Sequence, residues 1–590
     1  MDVYATSDPP APSVSSTTAW ATAAISAASL AACGGGGGAS STVATPVIAG
    51  TTVTLNTSGY TQLASITDAQ ASRFLLQAQF SASDADIAAV RSQGYAHWLE
   101  RQMAQSSGML GWDWLNAQGY GDVNNSSNFF DSTSPGDFMV WSQLMAAPDP
   151  LRKRMALALS EIMVVSLNGL DFSWRSHAAA HYWDTLNTYA FGNYRDLLQA
   201  ITLNVAMGYY LNTKGNKKAD GRGSQPDENY AREVMQLFTI GLVEQNPDGT
   251  ARLDGNGNKI DTYGASDVSN LAQVFTGWDL DQSQNQPTTL SQTGGGTRTI
   301  PSTHFTRLPL VQVGNNHSTL ASSFLGITVP ANTAASEALR LALDRLFNHA
   351  NTAPFVSKQL IQRLVTSNPT AAYVQRVAAV FADNGAGVRG SLPHVLAAIL
   401  LDDEARGPAG LSDPSYGRLR EPMLRLVQWG RSFGAASASG SWKIGDLSNA
   451  GTQLGQSPLR SPTVFNFFRP GYVPPATALA AGAVAPEFQL VNESSVGGYL
   501  NYLQGVIANG INGGDIRASY SGELALATDA TALLAKLNLR LCAGQLSAAS
   551  QSLILTALNA MASSTDAQKR NRVYAAVLLV MASSDYLVQK

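Results

Sequence analysis

Apolar residues recur at three- and four-residue intervals through most of this 590-residue chain, from about residue 69 to residue 588. This spacing places them on one face of an α-helix, and that face must be covered by other elements. The pattern predicts helices at 69–79, 84–92, 96–104, 150–165, 177–191, 194–205, 227–243, 266–276, 333–348, 352–366, 370–383, 391–402, 419–433, 487–508, 529–541, 547–562 and 566–588. We therefore predict a mainly α fold, with one large multi-helix body over residues 67–590.

Two segments interrupt the helical pattern. Residues 246–263 combine Asn-Pro-Asp-Gly and Asp-Gly-Asn-Gly turns with short stretches between them, which predicts a minor β-hairpin. Residues 281–330 are rich in Gln, Thr, Ser, Gly and Asn and have little periodicity, which predicts a long loop segment. Loops of that length often fold over a site. Whether the helices form a single body or two lobes stays open.

The N-terminal residues have the order of a lipoprotein leader. An apolar run ends in Leu30-Ala31-Ala32-Cys33-Gly34, and a glycine tether follows. We expect a signal segment at 1–33, lipid attachment at Cys33, a disordered Gly/Ser/Thr linker at 34–66, and a lipid-anchored or secreted protein of the bacterial envelope. No Lys or Arg precedes Arg73, so the positive start of a signal peptide is absent. An accidental match in a low-complexity tail, or a misassigned start, stays open.

The charge and the missing motifs exclude several familiar functions. The net charge is −4, which gives no basic footprint for nucleic acid. The sequence has no G-x-S-x-G elbow, no H-E-x-x-H helix, no Walker lysine loop and no G-x-G-x-x-G after a strand. These absences remove the easily recognised hydrolases, ATPases and dinucleotide enzymes. They leave the cofactor unknown and leave open whether the protein is an enzyme.

The densest charge lies between Pro226 and Gly241, in a chain of which only 14% is charged. Asp227 suits the N-cap of a helix, and Glu228 and Arg232 have the spacing of an ion pair. One stripe, expected to face the core, consists of Tyr230, Val234, Leu237 and Gly241. The block is therefore either a capped helix held by ion pairs or a catalytic site. In the second case Glu228 or Glu233 supplies a carboxylate, and Arg232 orients it or binds an anion.

A second dense cluster spans residues 459–472. It holds three Phe, one Tyr, two Arg and two Pro in fourteen residues. Aromatic faces beside arginine suit sugar rings, other planar groups or cation–π packing. We treat Asn466, Phe467, Arg469 and Tyr472 as candidate binding residues, with Trp278 as a possible part of the same wall. The alternative is a core plug that pins the chain between helices.

His177 and His181 are the only closely spaced histidines. Their i,i+4 spacing puts both on one face of a helix, where they could bind a metal. A third ligand is not evident nearby, although Asp184 lies one turn further along. Packing histidines are the alternative, and we assign no metal.

Long motifs in the chain are similar to those of one bacterial family. They are P-D-E-N-Y-A-R-E-V-M-Q-L-F-T-I-G-L, N-P-D-G-T, A-Q-V-F-T-G-W, R-L-R-E-P and S-P-T-V-F-N-F-F-R-P-G-Y, in that order. Together with further segments they make residues 67–590 resemble the "domain of unknown function 1800" family. The sequence departs from the family pattern at Ser318 and Ser322, where an aspartate and a lysine are expected. Any role of those two charges is therefore in doubt here.

The resemblance implies an exported, largely helical bacterial protein without an established activity. It also implies a partner, because members are often encoded beside a secreted, sulfatase-like protein. Two functions stay open: a binding or scaffold partner of a co-exported enzyme, or a hydrolase-like enzyme outside the cytoplasm. The first would use the aromatic cluster and the 281–330 segment. The second would use Glu228, Glu233 and Arg232, with Arg469 as an anion or orientation group.

Overall fold

The computed structural model describes residues 47–590, apart from residues 293, 476, 478 and 480–482. The expected signal segment 1–33 with Cys33, and residues 34–46 of the expected linker, lie outside the described residues. Within the described part the fold is mainly α, as the periodicity predicts.

The helices are listed here in chain order. The first group is α1 (Asp68–Ala78), α2 (Asp84–Gln93), α3 (Tyr95–Met103), α4 (Gly111–Ala117), α5 (Ser134–Ala146), α6 (Pro150–Ser160), α7 (Arg175–Tyr189), α8 (Tyr194–Thr202), α9 (Val205–Tyr210), α10 (Asn229–Glu233) and α11 (Ala265–Val274). The second group is α12 (Ala335–Phe347), α13 (Thr352–Leu364), α14 (Ala371–Ala382), α15 (Leu392–Leu401), α16 (Asp403–Arg406), α17 (Ala409–Ser412), α18 (Pro422–Ser432), α19 (Glu493–Asn509), α20 (Ser521–Leu524), α21 (Ala530–Cys542), α22 (Ala548–Asn559), α23 (Asp566–Ala582) and α24 (Ser584–Leu587).

Short strands form two-stranded antiparallel sheets between the helices. The strands are β1 (Trp278–Asp279), β2 (Thr288–Ser291), β3 (Thr297–Ile300), β4 (Val311–Gln312), β5 (Ser322–Phe324), β6 (Ile327–Val329), β7 (Arg418–Leu419), β8 (Ala436–Ser437), β9 (Ile516–Arg517) and β10 (Val588–Gln589). The pairs are β1–β4, β2–β3, β5–β6, β7–β10 and β8–β9. The segment 281–330 is therefore not one long loop, because short hairpins organise it.

The hairpin predicted at 246–263 is present in a reduced form. Three short stretches take the place of two arms, and they meet through the isolated antiparallel bridges Val243↔Asp261, Gln245↔Ala251 and Leu253↔Lys259. The carboxylate of Asp254 accepts the backbone N–H groups of Asn256 and Asn258, so turn chemistry explains this stretch.

Helix α5 is absent from the sequence prediction, and its burial explains why. Ten of its thirteen residues are buried, and they include Asp137, Ser142 and Gln143 as well as apolar residues. A helix enclosed on all sides has no polar face, so its sequence lacks the alternation of apolar and polar residues that identifies a helix. Helix α7 occupies a similar central place, since it packs against α4, α5, α6, α8 and α9.

The predicted linker is wrong over its last part, residues 47–66. These residues have no regular structure but are attached to the helical body. Ile48 N–H donates to Ser107 Oγ at 2.8 Å, and Thr51 N–H donates to the Met103 carbonyl at 2.8 Å. Leu55 is buried, and its N–H donates to Glu100 at 2.8 Å. Hydrogen bonds to α3 and to Ser107 thus hold a polar stretch that composition alone would leave disordered. Among the described residues, no helix has the length and apolar character needed to cross a membrane.

A network of buried charge connects β7, α18 and the 3₁₀ turn Pro486–Leu490. Arg418 in β7 donates to Glu421, the residue before α18, and to Glu487 in the turn, with 2.9 Å between Nη2 and Glu487 Oε1. Glu421 also accepts a 2.6 Å hydrogen bond from Gln456. Arg418, Glu421 and Gln456 are fully buried or nearly so.

The same network extends to α6 and α13. Arg363 lies near the end of α13, with its Nε 3.4 Å from Glu161 Oε2 and its Nη1 4.0 Å from Glu487 Oε1. Arg154 of α6 and Arg418 both donate to the carbonyl of Arg363. Three arginines and three glutamates therefore lie together in the core and connect segments that are far apart in sequence.

The charged groups of the network differ in how well they are compensated. Burial alone would raise the pKa of Glu421, but Arg418 and Arg363 hold it below its usual value. Burial raises the pKa of Glu161 well above its usual value, and the charge of Glu421 adds to the shift. The Arg418–Glu421 pair is thus the ionised centre of the network, and Glu161 is its least stabilised carboxylate.

The variant Arg418→Met tests how much the centre of this network contributes to stability. It removes one partner from two buried glutamates, so we expect a loss of about 3–5 kcal/mol in the free energy of unfolding. Chemical denaturation followed by circular dichroism measures it. Arg340→Met is the matched control, because Arg340 also contacts two acids, Glu337 and Asp344, but at the surface. Equal shifts of the denaturation midpoint in the two variants would contradict a special role for the buried network.

Candidate functional site

The helix predicted at 227–243 is shorter and changes its type midway. It begins as α10 and continues as a π-helical stretch, Val234–Thr239. The N–H of Ile240 donates to the Met235 carbonyl five residues earlier at 2.9 Å, which is the backbone hydrogen bond of a π-turn. Gly241 ends the stretch with φ +70°, and a Cβ there would lie 2.6 Å from the Phe355 ring. π-turns of this kind are frequent at functional sites.

The wider turn corrects the predicted core stripe. Tyr230 and Val234 are buried as expected, but Leu237 is only half-buried and Phe238 takes the core position. A π-turn has one more residue than an α-turn, so the inward face moves on by one position. Tyr194 Oη donates to the Phe238 carbonyl and holds this segment against α8.

The first acids of the block are structural in their contacts. Asp227 lies one residue before the N-cap position, which Glu228 occupies, and its carboxylate accepts the N–H of Asn229 at 2.8 Å. Glu228 forms the predicted ion pair with Arg232 at 3.1 Å and accepts a hydrogen bond from Ser269 at 2.5 Å. Both members of the pair are partly exposed, and such pairs stabilise little.

Glu233 differs from the other acids of the block. It is about nine-tenths buried, and its Oε2 is enclosed without a hydrogen-bond partner among the described residues. Burial raises its pKa, and the charge of Arg232 only partly opposes the shift. Burial also raises the pKa of Tyr210 and of Tyr263 to about 12, and the charge of Glu233 adds to both shifts. Glu233 therefore lies with two phenols in a partly water-excluded setting.

Tyr210 joins the two clusters that the sequence singles out. It closes α9, lies in the field of Glu233, and is close enough to Ser461 for that hydroxyl to offset part of its pKa rise. Ser461 belongs to the aromatic segment 459–472. Tyr210 is thus the residue whose pKa responds to both the charged block and the aromatic segment, which are more than two hundred residues apart in sequence.

The segment 459–472 is anchored by Phe468. This ring is 1% exposed, and the Arg363 guanidinium carbon lies 4.7 Å from its centroid. Arg460 adds a second anchor, since its Nε and Nη2 donate to Asp137 of α5 at 2.8 and 2.6 Å. The core-plug interpretation therefore describes one side of this segment.

The other side of the segment faces solvent. Arg469 is exposed, with its guanidinium carbon 5.8 Å from the Phe465 ring centroid, while Phe465, Phe467 and Tyr472 are half-buried. Asn466 is buried and adopts φ +62°, which lets the chain turn back on Thr463. We call the solvent side of residues 462–472 the aromatic–arginine surface.

Trp278 does not share this surface in the described part of the chain. It lies in β1 opposite Gln312, is 8% exposed, and its carbonyl accepts the N–H of Gly215 at 2.8 Å. No hydrogen bond or aromatic pair among the described residues joins it to residues 459–472.

A small cavity lies beneath the aromatic segment. Its volume is about 10 Å³, and its lining includes Glu161, Ser457, Asn466 and Phe467. Both carboxylate oxygens of Glu161, the Ser457 hydroxyl and the Asn466 amide nitrogen lack hydrogen-bond partners among the described residues. This volume is about that of one water molecule, whose hydrogen bonds would suit these groups. The cavity is too small for a substrate.

The two histidines do not form a metal site with nearby ligands. The His177 ring is 1% exposed, its centroid lies 5.2 Å from that of Trp174 and 5.9 Å from that of Trp112, and burial lowers its pKa to about 3. Asp184 is committed to α4, where it accepts the N–H of Gly111 at 2.7 Å. Over the described ranges, no group of three His, Cys, Asp or Glu side chains is placed to hold a metal.

A larger cleft, of about 490 Å³, lies between the hairpin turns and helices α13 and α14. Its polar lining includes Gln245, Thr250, Lys259 and Lys358. Burial lowers the pKa of Lys358, and the charge of Asp248 opposes the shift. None of the candidate catalytic, binding or metal-ligating residues lines this cleft, whereas Asp248, Gly249 and Thr250 of the N-P-D-G-T motif do.

Sequence reasoning missed Glu161 and Tyr210, which connect the other groups. Glu161 stands alone in the apolar run Leu157 to Val165, and a single acid in such a run is a usable signal. Tyr210 has no such signal, because only the tertiary fold brings it to Glu233 and Ser461.

The chain was compared with protein-family models, curated proteins and solved structures, and only the family models gave a match. A family model described as "Protein of unknown function (DUF1800)" matches residues 73–588. No curated protein and no solved structure matches the chain.

The variant Glu233→Gln tests the buried carboxylate through the pH dependence of stability. Because its pKa is raised in the folded protein, the unfolded chain loses its proton first, and wild-type stability falls as pH rises above about 4.5. Wild-type stability stops falling once the pH exceeds the pKa that Glu233 has in the folded protein. We expect Glu233→Gln to remove this contribution and to be more stable than wild type at pH 7.5.

Thermal denaturation between pH 4 and pH 8 provides the measurement. Glu228→Gln is the control, because Glu228 is partly exposed and paired with Arg232. If the denaturation midpoints of wild type and Glu233→Gln differ by the same amount at every pH in this range, Glu233 is not held in a desolvated setting.

Proposed function

We propose, from the premise that this chain belongs to the DUF1800 family of proteins of unknown function, that it is a binding protein of the bacterial cell envelope. Its role is that of a scaffold partner for a co-exported enzyme. The observation that carries this proposal is the aromatic–arginine surface, which is exposed on one side and anchored in the buried charge network on the other.

The composition of this surface supports protein binding. Tyr, Phe and Arg are enriched where protein interfaces bury their centres, and a few such residues supply most of the binding free energy. Arg469 is exposed, and its guanidinium carbon lies 5.8 Å from the centroid of the half-buried Phe465 ring. A partner that covers this ring would gain apolar contact and a desolvated cation–π pair.

The anchoring of the surface supports the same proposal. Binding costs conformational entropy when side chains or loops must be ordered, and a pre-ordered surface avoids most of that cost. Phe468 is held by Arg363, and Arg460 is held by Asp137, so the segment is fixed at two points. The aromatic rings are therefore presented in one geometry before a partner arrives.

The envelope location rests on sequence outside the described residues. Leu30-Ala31-Ala32-Cys33 has the form of a lipoprotein box, and a lipid on Cys33 would tether the body to a membrane. The mass of the mature protein tests this, since an unmodified Met1 on mature protein would contradict lipidation.

Glu233 favours a second candidate, a hydrolase-like enzyme. A buried carboxylate with a raised pKa can act as a general acid, and burial raises the pKa of Glu233. Glu228 is committed to Arg232 and Ser269, which leaves Glu233 as the acid of the block for this role. Loss of the native phenotype in Glu233→Gln, but not in Glu228→Gln, at equal protein levels would support it. A retained phenotype would count against catalysis by Glu233.

The variant Arg469→Ala, alone and with Phe465→Ala, tests the proposed interface. Loss of a hot-spot residue costs about 2 kcal/mol or more, so we expect the double variant to bind the sulfatase-like partner at least about tenfold more weakly. Biolayer interferometry with the purified proteins measures the dissociation constant.

Two exposed positions outside the surface provide matched controls for this experiment. Arg570 in α23 and Leu553 in α22 are both exposed, and their replacement by alanine should leave the dissociation constant unchanged. The proposal fails if the partner binds wild type and the Arg469/Phe465 double variant equally, or does not bind wild type at all.

A further inference from the structure

An apolar groove of about 280 Å³ runs between the start of α18, the first half of α19 and the C-terminal α24 and β10. Its wall is built mainly from aliphatic and aromatic side chains, among them Leu419, Phe488, Val496, Leu500 and Leu587. The volume is near the lower end for ligand pockets, which are about 300–1,000 Å³ and mostly apolar with few polar groups. The groove therefore has the size for one small, narrow ligand.

The groove leaves large apolar side chains open to water. Val491 is 43% exposed and Val496 is 49% exposed, although both lie beside buried wall residues such as Leu419 and Tyr499. Contiguous exposed apolar surface of this kind commonly marks a binding site. A ligand with an apolar body would cover it.

The charged residue in the groove wall is Arg425, which is 6% exposed. Its Nε donates to the Arg420 carbonyl at 2.6 Å, and its guanidinium carbon lies 4.7 Å from the ring centroid of Tyr499, another wall residue. No carboxylate of the described residues pairs with Arg425, whereas Arg418, seven positions earlier, contacts two glutamates. A buried cation without a counter-charge is costly, and an anionic ligand group would offset that cost.

We propose that this groove binds a free fatty acid, with the alkyl chain along the apolar wall and the carboxylate paired with Arg425. The apolar lining selects an alkyl chain, and the single buried cation selects an anionic end. A carboxylate also matches the planar guanidinium in a two-point hydrogen-bonded pair. Part of the groove wall comes from β7, the start of α18 and the 3₁₀ turn, and Arg418, Glu421 and Glu487 lie in or directly beside these elements, so the buried network positions that part of the wall.

Calorimetric titration with dodecanoate and with dodecan-1-ol at pH 8, both below their aggregation concentrations, tests the proposal. The two probes share the alkyl chain and differ in the charged end, so we expect dodecanoate to bind at least about tenfold more tightly. Val496→Asp places a negative charge in the groove at an exposed position and should weaken dodecanoate binding at least about tenfold. Leu553→Asp is the control, because Leu553 is 73% exposed and lies outside the groove lining.

A second variant isolates the arginine. Arg425→Gln, provided its thermal denaturation midpoint shows a folded protein, should lose the preference for dodecanoate over dodecanol while the alcohol still binds. If it does not fold, Val496→Asp and the comparison of the two probes still decide the matter. The proposal is overturned if wild type binds the two probes with equal affinity, or if Val496→Asp and Leu553→Asp weaken dodecanoate binding equally. It is also overturned if the groove binds a capped apolar hexapeptide but not dodecanoate.

Discussion

The pairing of Arg418 with Glu421 and Glu487 in the core is the interaction on which the rest of the structure depends. These groups come from a two-residue strand, a helix N-terminus and a 3₁₀ turn, none of which could be stable alone. Buried ion pairs are weak net stabilisers compared with apolar packing, but an unpaired member is strongly destabilising. The network therefore acts as a constraint: the chain can bury these charges only when all the segments are in place together. In a chain with 14% charged residues, such a constraint specifies which segments meet.

The aromatic–arginine surface and the apolar groove both derive their geometry from this network. Arg363, held by the network, places its guanidinium on Phe468, which fixes the segment whose other side is exposed. Glu421 and Glu487 lie next to Pro422 and Phe488, which line the groove. One buried cluster thus supports two separate surface features, and a substitution in the cluster should alter the geometry of both. The functional proposals share this physical basis while their ligands differ.

The sequence predicts the fold class well, because helical spacing is a local pattern. Helical spacing predicts most helices, and the i,i+4 pair of Glu228 and Arg232 is confirmed at 3.1 Å. It does not predict α5, which has no polar face, or the π-turn after Glu233, which moves the core position from Leu237 to Phe238. Nor does it predict the network, because a buried ion pair between residues 418 and 487 has no local signature. Tyr210 shows the same limit, since it connects two sequence clusters only through the tertiary fold.

The central claim is that the buried network fixes the aromatic–arginine surface in advance of binding. Amide hydrogen exchange of residues 459–472 in wild type and in Phe468→Leu tests this most directly, because the substitution removes the ring under Arg363 and keeps an apolar side chain. We expect faster exchange in 459–472, with unchanged exchange in a distant helix such as α22. Unchanged exchange across 459–472 in Phe468→Leu would contradict this claim.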